Sequence, residues 1–437
     1  MEFLARKLMK TGPDRNRQNM IWNMVGSFCY AFASMVLSFL VMRMIGDAQG
    51  GIFAIAFSVV GQQMFIVAYF GTRPFQITDE AYEFTMGDYF RHRVITCAAA
   101  VILGILYLTA SGYTAEKCAV IFLMVCYKVI DGFADVFESE FQRNGSLYLT
   151  GKSNTFRTIL SVSVFLAVLA VTKNLVVSCG AAVGAQAAGV VLFDITIIKR
   201  LDGVSWSLKK GSVKALFCST FLLFISTFLD FYIFSSAKYA IDAHVNDAAS
   251  GYFNIIFMPT SVINLVAGFV IRPFLTPLSE YWNRMRYQDF KRLVLRIGVV
   301  ILGLSVLAVG AAWFIGKPVL GILELLLGNA YGGKLTALHG EFVLIVLGGA
   351  FYAVSNLMYY ALVIMRRQRV IFGIYLAVTA AALVMSPYLV VRYGMTGAAA
   401  AYLALMVLLA AGFGLLTCIS FIKAERARQD KKEKADL

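Results

Sequence analysis

The residues best suited to chemistry in this sequence are charged side chains inside long apolar segments. In CYKVIDGFADVFESEFQR, residues 126–143, Lys128, Asp131 and Asp135 stand at positions i, i+3 and i+7, which share one face of a helix. A charge at the centre of a bilayer costs at least about 2.5–3.5 kcal/mol, so it needs a partner or water. Two interpretations follow: Lys128 and Asp131 neutralise each other as an ion pair, or Lys128 lines a wet cavity and offers a cation to a substrate.

An arginine-proline-phenylalanine triplet occurs twice, at the ends of two apolar segments. Arg73 begins it in YFGTRPFQITDE and Arg272 begins it in FVIRPFLTPLSE. An arginine at such a place commonly extends its head group to lipid phosphates, and a proline commonly ends or kinks a helix. The recurrence favours a second interpretation, in which both guanidinium groups form charge-assisted hydrogen bonds with an anionic substrate.

Other polar residues lie within or at the ends of the apolar segments. We expect further contacts to phosphate or sugar from Arg143, Arg157, Gln62, Gln63, Asn254 and Asn356. Candidates for carrying a coupling proton or sodium ion are Asp131, Asp135, Asp194 and Asp230. For the amides and acids, a structural role between neighbouring helices is the alternative. Gly180 and Gly184 form a GxxxG pattern, which predicts close helix packing.

Signatures of catalysis and of metal binding are missing from the sequence. It contains no HExxH, Walker or GxSxG motif, its three histidines are scattered, and its seven cysteines form no CxxC pair. The sequence therefore predicts no enzyme, no metal site and no cofactor.

The composition indicates a membrane protein. Of 437 residues, 59% are hydrophobic and 15% charged, whereas soluble domains are about 45–50% apolar and about 25% charged. The net charge of +14 would suggest nucleic acid as the partner of a soluble protein. Here it is explained by loops that fix membrane orientation, so membrane lipids, and no nucleic acid, are the expected partners.

Twelve segments are long enough to cross a bilayer, which takes roughly 20 apolar residues. They are about 20–44, 50–72, 93–110, 117–139, 154–173, 175–198, 213–237, 249–275, 293–315, 338–364, 370–391 and 394–422. Residues 318–328 are too short to span and predict a half-helix or surface helix in a longer loop. Most of the 39 Lys and Arg residues fall on the side of the N-terminus, which predicts a plasma-membrane protein with both termini in the cytoplasm.

The two halves of the chain contain related motifs. GIFAIAF (51–57) matches GYFNIIF (251–257), each is followed by an Arg-Pro-Phe triplet, and VILG recurs at 101–104 and 300–303. The sequence thus predicts two parallel six-helix repeats: an N-lobe at 1–200, a cytoplasmic linker at 201–212, and a C-lobe at 213–437 with a basic tail. Parallel repeats of this kind build transporters with a substrate path between the lobes.

Several stretches also carry a family resemblance. They are GGIFAIAFSVV with AYFGTRPFQITDE, FQRNGSLYLTGKSNTFR, KYAIDAHVNDAASGYFNIIFMPTSVINL, LLGNAYGG and IMRRQR. In these the chain resembles polysaccharide and O-antigen type flippases of the multidrug/oligosaccharidyl-lipid/polysaccharide (MOP) exporter superfamily. The resemblance implies a V-shaped pair of lobes, as in the multidrug (MATE) branch, around a hydrophilic, often cationic cavity. It also implies export of a polyprenyl-diphosphate-linked oligosaccharide to the outer leaflet, for lipopolysaccharide or other cell-surface polysaccharide biosynthesis.

Two rival functions remain. A cation-coupled multidrug exporter of the same superfamily would have a cavity dominated by acids and aromatic rings. A membrane enzyme such as a polysaccharide polymerase would need a large external loop, and the longest one here, about 316–338, holds one acid and is followed directly by one histidine, His339. The related peptidoglycan-precursor flippases typically have fourteen helices. The resemblance implies cavity arginines in the first, second and eighth helices of those relatives. Arg73 and Arg272 would fill two of these places, whereas Arg43 lies at the outer end of the first helix and does not fit the third.

Overall fold

The structure is a computed structural model that describes residues 8–10, 14–79, 83–328 and 331–433, with 427–433 described by their backbone alone. Every regular element in these ranges is helical, and twelve helices are long enough to cross a membrane. Ten helical runs are also apolar enough to cross a membrane, and one of them, Gln368–Arg426, contains two of the twelve helices. The helix Ala115–Arg143 is not among the ten because of its charged residues. The predicted all-α membrane class with twelve spans is thereby confirmed.

The twelve helices follow the predicted segments closely. Their bounds are α1 Arg15–Ile45, α2 47–69, α3 Met86–Ser111, α4 Ala115–Arg143, α5 Leu147–Thr172, α6 Leu175–Ile198, α7 Ser212–His244, α8 Asp247–Ile271, α9 Tyr287–Leu327, α10 His339–Ile364, α11 368–393 and α12 395–433. The last two form one run that bends at Gly394, which has φ 58° and ψ −132°. A left-handed φ suits glycine, which has no Cβ.

The starts of several helices are fixed by capping side chains, which a hydropathy profile does not detect. Thr85 and Asp88 form a reciprocal capping box at the start of α3, seven residues before the predicted start of that span. Asp14 accepts the N–H of Arg17 at the start of α1, and Asn246 accepts that of Ala249 at the start of α8. Several spans consequently extend further than their apolar segments.

The prediction of a separate half-helix at residues 318–328 is wrong. Helix α9 continues through Pro318 to Leu327, and at about 1.5 Å per residue its 41 residues are roughly 60 Å long. This is about twice the hydrocarbon thickness, so α9 is tilted or projects from the bilayer. Glu324 stabilises its last turns by accepting the N–H groups of Leu335 and Thr336 at 2.5 and 2.6 Å.

Both Arg-Pro-Phe triplets begin a short helical segment after a span. Phe70 and Gly71 adopt left-handed conformations at the end of α2, and the short helix Thr72–Thr78 follows. After α8, Arg272–Phe274 form a 3₁₀ turn that leads into Leu275–Asn283. The prolines therefore lie in first turns, where their missing N–H costs no hydrogen bond.

The chain forms two compact units, Met1–Phe228 (unit 1) and Leu229–Leu437 (unit 2). Clusters of buried aliphatic and aromatic side chains form part of the core within each unit. The boundary lies within α7, somewhat later in the chain than the linker at 201–212. The lobe limits 1–200 and 213–437 stay a prediction.

The segment between α6 and α7 is not helical and packs against the start of α3. The N–H of Gly87 donates to the carbonyl oxygen of Ser205 at 3.2 Å. The carboxylate of Asp88 accepts the N–H of Lys209 at 3.1 Å and the hydroxyl of Ser212 at 2.5 Å. A Cβ on Gly87 would lie 2.5 Å from the carbonyl oxygen of Trp206, so this contact requires glycine.

The glycines that permit close helix packing are not those of the GxxxG pattern. Helices α1 and α5 approach at Gly26 and Gly151, where a Cβ on Gly151 would lie 2.1 Å from the carbonyl oxygen of Trp22. A Cβ on Gly180 or Gly184 would meet no described atom within 4 Å. The packing prediction for that pair is wrong, because α6 packs against α4 and α5 through another face, on which Cys179 and Ala182 are buried.

Candidate functional site

A polar stripe runs along one face of α4. It consists of Lys128, Asp131, Asp135, Glu138 and Gln142, spaced alternately by three and four residues. The first four side chains are buried. Sequence analysis identified three of the five; Glu138 and Gln142 continue the same helical period, and extending it by two positions would have found them.

Arg73 is anchored to this stripe. Its guanidinium group lies 2.6 Å from Asp135 and 3.6 Å from Glu138, and it donates to Gln142 at 3.0 Å. The side chain is 24% exposed. The guanidinium group is thus held by α4, yet part of it stays accessible to a ligand.

Arg157 is buried among three carboxylates. Its guanidinium nitrogens lie 2.9 Å from Asp131, 2.8 Å from Glu138 and 2.8 Å from Asp194. Asp194 lies in a π-helical turn of α6, Val190–Ile195, and also accepts the hydroxyl of Ser153 at 2.5 Å. Arg157 therefore joins α5 to α4 and α6.

Arg93, which the predicted span 93–110 places at its very start, belongs to the same cluster. It is fully buried and lies 2.9 Å from Asp135, and it also donates to the carbonyl oxygen of Ala68 at 3.0 Å. Because α3 begins at Met86, Arg93 lies two turns inside the helix. The capping residues Thr85 and Asp88 were the signal that could have placed it there.

These residues form what we call the α4 cluster. Its members are Arg73, Arg93, Arg157, Asp131, Asp135, Glu138 and Asp194. Three guanidinium groups face four carboxylates, so the ionised cluster carries no excess of positive charge. Removing one partner of a buried ion pair is strongly destabilising, which gives the cluster a structural role whatever else it does.

Arg143 lies outside this cluster. It is buried, pairs with Asp79 at 3.1 Å and Glu140 at 3.5 Å, and donates to the carbonyl oxygen of Phe84 at 3.1 Å. It thereby joins the end of α4 to the residues that precede α3.

Lys128 has neutral partners. Its ammonium group donates to the hydroxyl of Tyr30 at 2.8 Å and to Oε1 of Gln62 at 3.1 Å, and lies 4.0 Å from the ring centre of Phe57. No described carboxylate pairs with it. The ion pair with Asp131 is therefore not formed, because Asp131 pairs with Arg157. We call Lys128, Gln62 and Phe57 the Lys128 site.

Backbone geometry makes room for this site. Phe57 lies in a π-helical turn of α2, Ala56–Val60, and Gly61 follows directly. A Cβ on Gly61 would lie 3.1 Å from Cγ of Lys128 and 2.6 Å from the carbonyl oxygen of Ala56. The absence of a side chain at Gly61 lets the lysine stem pass close to α2.

The predicted amides serve different purposes. Gln63 donates to the carbonyl oxygen of Phe228 at 3.1 Å and so holds the first part of α7. In unit 2, Asn356 donates to Asn264 at 3.1 Å, which links α10 to α8. Asn254 accepts a hydrogen bond from Lys238 at 2.9 Å.

Lys238 was expected just outside the seventh span, and this expectation is wrong. Helix α7 extends to His244, so Lys238 lies inside it and is buried. Asp230, on the same helix, accepts the hydroxyl of Tyr352 at 2.7 Å, and Tyr375 also bonds to its carboxylate. No described cationic side chain pairs with Asp230.

The two triplet arginines have different surroundings. Arg73 is anchored in the α4 cluster, whereas Arg272 is exposed and forms no hydrogen bond or ion pair with any described residue. In the described ranges no three His, Cys, Asp or Glu side chains are grouped to hold a metal ion.

Comparison with solved structures identifies the fold. The lipid II flippase MurJ, in an inward closed conformation, is similar over 92% of this chain and 90% of its own, with a TM-score of 0.66 and 11% identity. The eukaryotic MATE transporter AtDTX14 is similar over 95% and 99%, with a TM-score of 0.64 and 12% identity. A MOP superfamily transporter from Pyrococcus furiosus is similar over 93% and 95%, with a TM-score of 0.51 and 12% identity.

No protein-family model and no curated protein sequence matches the chain. The structural likeness extends over nearly the whole chain at low identity, and it establishes the fold. The predicted twelve-helix architecture of two repeats is confirmed, and the protein is a multi-pass membrane protein with the fold of MOP superfamily transporters.

Proposed function

We propose that the protein moves a polyprenyl-diphosphate-linked oligosaccharide from the cytoplasmic to the outer leaflet of the plasma membrane, for cell-surface polysaccharide biosynthesis. Both termini then lie in the cytoplasm. The similarity to a lipid II flippase over most of the chain supports this function, as does the polar interior of unit 1. Transport proceeds by alternating access, as is usual for transporters built from repeats.

The observation that carries the proposal is the set of partners around Lys128. A diphosphate cannot cross hydrocarbon unless its charge is met by cations and hydrogen-bond donors. Lys128 lies near the middle of α4, and its ammonium group donates to two neutral acceptors with no described carboxylate in ion-pair contact. A phosphate oxygen can replace Tyr30 or Gln62 as its acceptor and gains a charge-assisted hydrogen bond.

The arginines add to this site in distinct ways. Arg272, exposed at the end of α8, and the accessible part of Arg73, after α2, are the first contacts that we propose for the diphosphate. Arg143 and Arg157, which are buried against carboxylates, hold α4 in position for Lys128. The amides of Gln62 and Asn356, which are partly exposed, are the partners that we propose for the sugars.

A reconstituted system tests the proposal directly. Purified protein in lipid vesicles would be supplied with a fluorescent polyprenyl-diphosphate disaccharide, and transfer between leaflets would be followed by a membrane-impermeant quencher. Replacing Lys128 by Met should lower the rate at least ten-fold, and Lys128→Arg should retain part of it. The matched control, Lys173→Met, removes an exposed lysine. Transfer at the unaltered rate in Lys128→Met would refute the proposal.

A cation-coupled multidrug exporter is the second candidate, and Asp230 favours it. A carboxylate held by two tyrosine hydroxyls, with no cationic partner in the described residues, is suited to binding a proton or sodium ion. Accumulation of an organic cation such as ethidium in vesicles, driven by a proton or sodium gradient and lost in Asp230→Asn, would establish this function. Absence of such transport would exclude it.

A further inference from the structure

Unit 2 contains a second lysine with neutral partners. Lys238 of α7 is 9% exposed, and its ammonium group donates to Oδ1 of Asn254 at 2.9 Å. It also lies 4.3 Å from the ring centre of Phe257. No described carboxylate pairs with it, although Asp242 lies one turn further along the same helix. We call Lys238, Asn254 and Phe257 the Lys238 site.

The Lys238 site repeats the chemistry of the Lys128 site. Each consists of an ammonium group, a side-chain amide that accepts a hydrogen bond from it, and a phenylalanine ring beneath it. The two rings, Phe57 and Phe257, end the matching motifs GIFAIAF and GYFNIIF. The other members come from different positions, so the likeness lies in the chemistry and not only in the duplicated sequence.

The hydrogen-bond donors of the Lys238 site are only partly used. An ammonium group has three donors, and that of Lys238 makes one hydrogen bond to a described residue. Asn254 accepts through its oxygen, and its amide nitrogen has no described acceptor, with 7% of the residue exposed. The site therefore presents unsatisfied donors and a positive charge. Its natural complement is an anion with several acceptor oxygens.

A buried lysine in unit 1 shows what a purely structural arrangement looks like. Lys152 donates to the carbonyl oxygens of Leu8 and Lys10 at 2.8 and 3.0 Å, and its ammonium group lies close to the rings of Trp22 and Tyr148. Both acceptors are main-chain oxygens, and the ammonium group joins α5 to residues 8–10. At Lys238, by contrast, the donors remain available for a ligand.

We propose that the Lys238 site is a second anion-binding site, which takes a phosphate group of the transported lipid after it leaves the Lys128 site. This rests on the proposed function. Lys128 lies 15 residues before the end of α4, at Arg143, whereas Lys238 lies six residues before the end of α7, at His244. With cytoplasmic termini, the end of α7 faces outward, so Lys238 serves the release side.

Farnesyl diphosphate, a short soluble probe with the same head group, tests the proposal. Its binding stoichiometry to the purified full-length protein in detergent would be measured by native mass spectrometry, with farnesol as the uncharged control. We expect two bound molecules in the unaltered protein and one in each of Lys128→Met and Lys238→Met. Lys317→Met, which removes an exposed lysine of unit 2, should still bind two.

Each result is decisive. Two molecules bound to Lys238→Met would overturn the second site. So would one molecule bound to the unaltered protein if only Lys128→Met abolishes its binding. In either case the proposed function stands. No binding to the unaltered protein would overturn both. If Lys238→Met does not fold, Asn254→Leu serves instead: it keeps the ammonium group, removes the amide donors, and should weaken binding at one site at least ten-fold. Unchanged binding in Asn254→Leu would likewise refute the site.

Discussion

Phe57 and Phe257 occupy the same position in the two repeats, and each has a lysine ammonium group over its ring, at 4.0 Å and 4.3 Å. The lysines come from α4 in unit 1 and from α7 in unit 2. A cation–π contact of this kind is worth more when it is shielded from water, up to about 2 kcal/mol. Both units thus hold an ammonium group against an aromatic ring, with no described carboxylate in ion-pair contact with it.

Arg157 is expected to be essential for folding. Replacing it by Met leaves Asp131, Glu138 and Asp194 buried without their cation, which should lower the free energy of unfolding by about 3–5 kcal/mol. Denaturant unfolding in detergent measures this change. Arg369→Met, which removes an exposed arginine, should have almost no effect, and an equally stable Arg157→Met would show that the carboxylates find other partners.

Substitutions of the two triplet arginines should separate effects on stability from effects on transport. Arg272→Ala removes an exposed side chain without described partners, so stability should change by less than about 0.5 kcal/mol while lipid transfer falls. Arg73→Ala breaks contacts to Asp135 and Gln142 and should lower both. Thermal unfolding and the vesicle assay, run on the same preparations, distinguish the two. Normal transfer in Arg272→Ala would remove this residue from the substrate path.

Gly61 should tolerate no side chain. In Gly61→Ala the new methyl group would lie 2.6 Å from a main-chain oxygen and 3.1 Å from the stem of Lys128, at a cost of about 1–3 kcal/mol. We also expect slower transfer, because the lysine is displaced. Gly180→Ala is the matched control, since its methyl group meets open space and alanine favours helix. Equal melting temperatures for the two variants would contradict this account.

Asp230 should couple transport to an ion gradient. Asp230→Asn keeps the size of the side chain and a partner for Tyr352, but it cannot bind and release a proton. Transfer measured with and without an imposed proton or sodium gradient should lose its dependence on the gradient in this variant. Asp202→Asn, in the exposed linker, should keep it. A gradient response that persists in Asp230→Asn would assign coupling to another group.

The sequence was a good guide to the spans and to the polar face of α4, because apolar length and helical period are local properties. Lys128, Asp131 and Asp135 do share a face, as their spacing predicts. Their partners were not predictable. Arg157 pairs with Asp131 because α5 packs beside α4, and the spacing of residues within α4 carries no information about that neighbour.

The ends of the helices were the weaker part of the prediction. A hydropathy profile detects only the apolar part of a helix. Arg93 and Lys238 lie near the polar ends of α3 and α7, which helix caps and tertiary contacts stabilise. The same limit applies to Arg73 and Arg272. They share the Arg-Pro-Phe triplet, but α4 supplies Asp135, Glu138 and Gln142 to Arg73 alone.

The attachment of residues 205–212 to Gly87 and Asp88 has a mechanical consequence. Because hydrogen bonds hold this connecting segment against α3, the segment cannot extend freely. Any rocking of the kind transporters use would have to be absorbed as curvature within α7, whose first part, through Phe228, is fixed to unit 1 by Gln63. The same helix carries Asp230 and Lys238, so a bend in α7 would act on the two sites that we propose for ion coupling and for anion release.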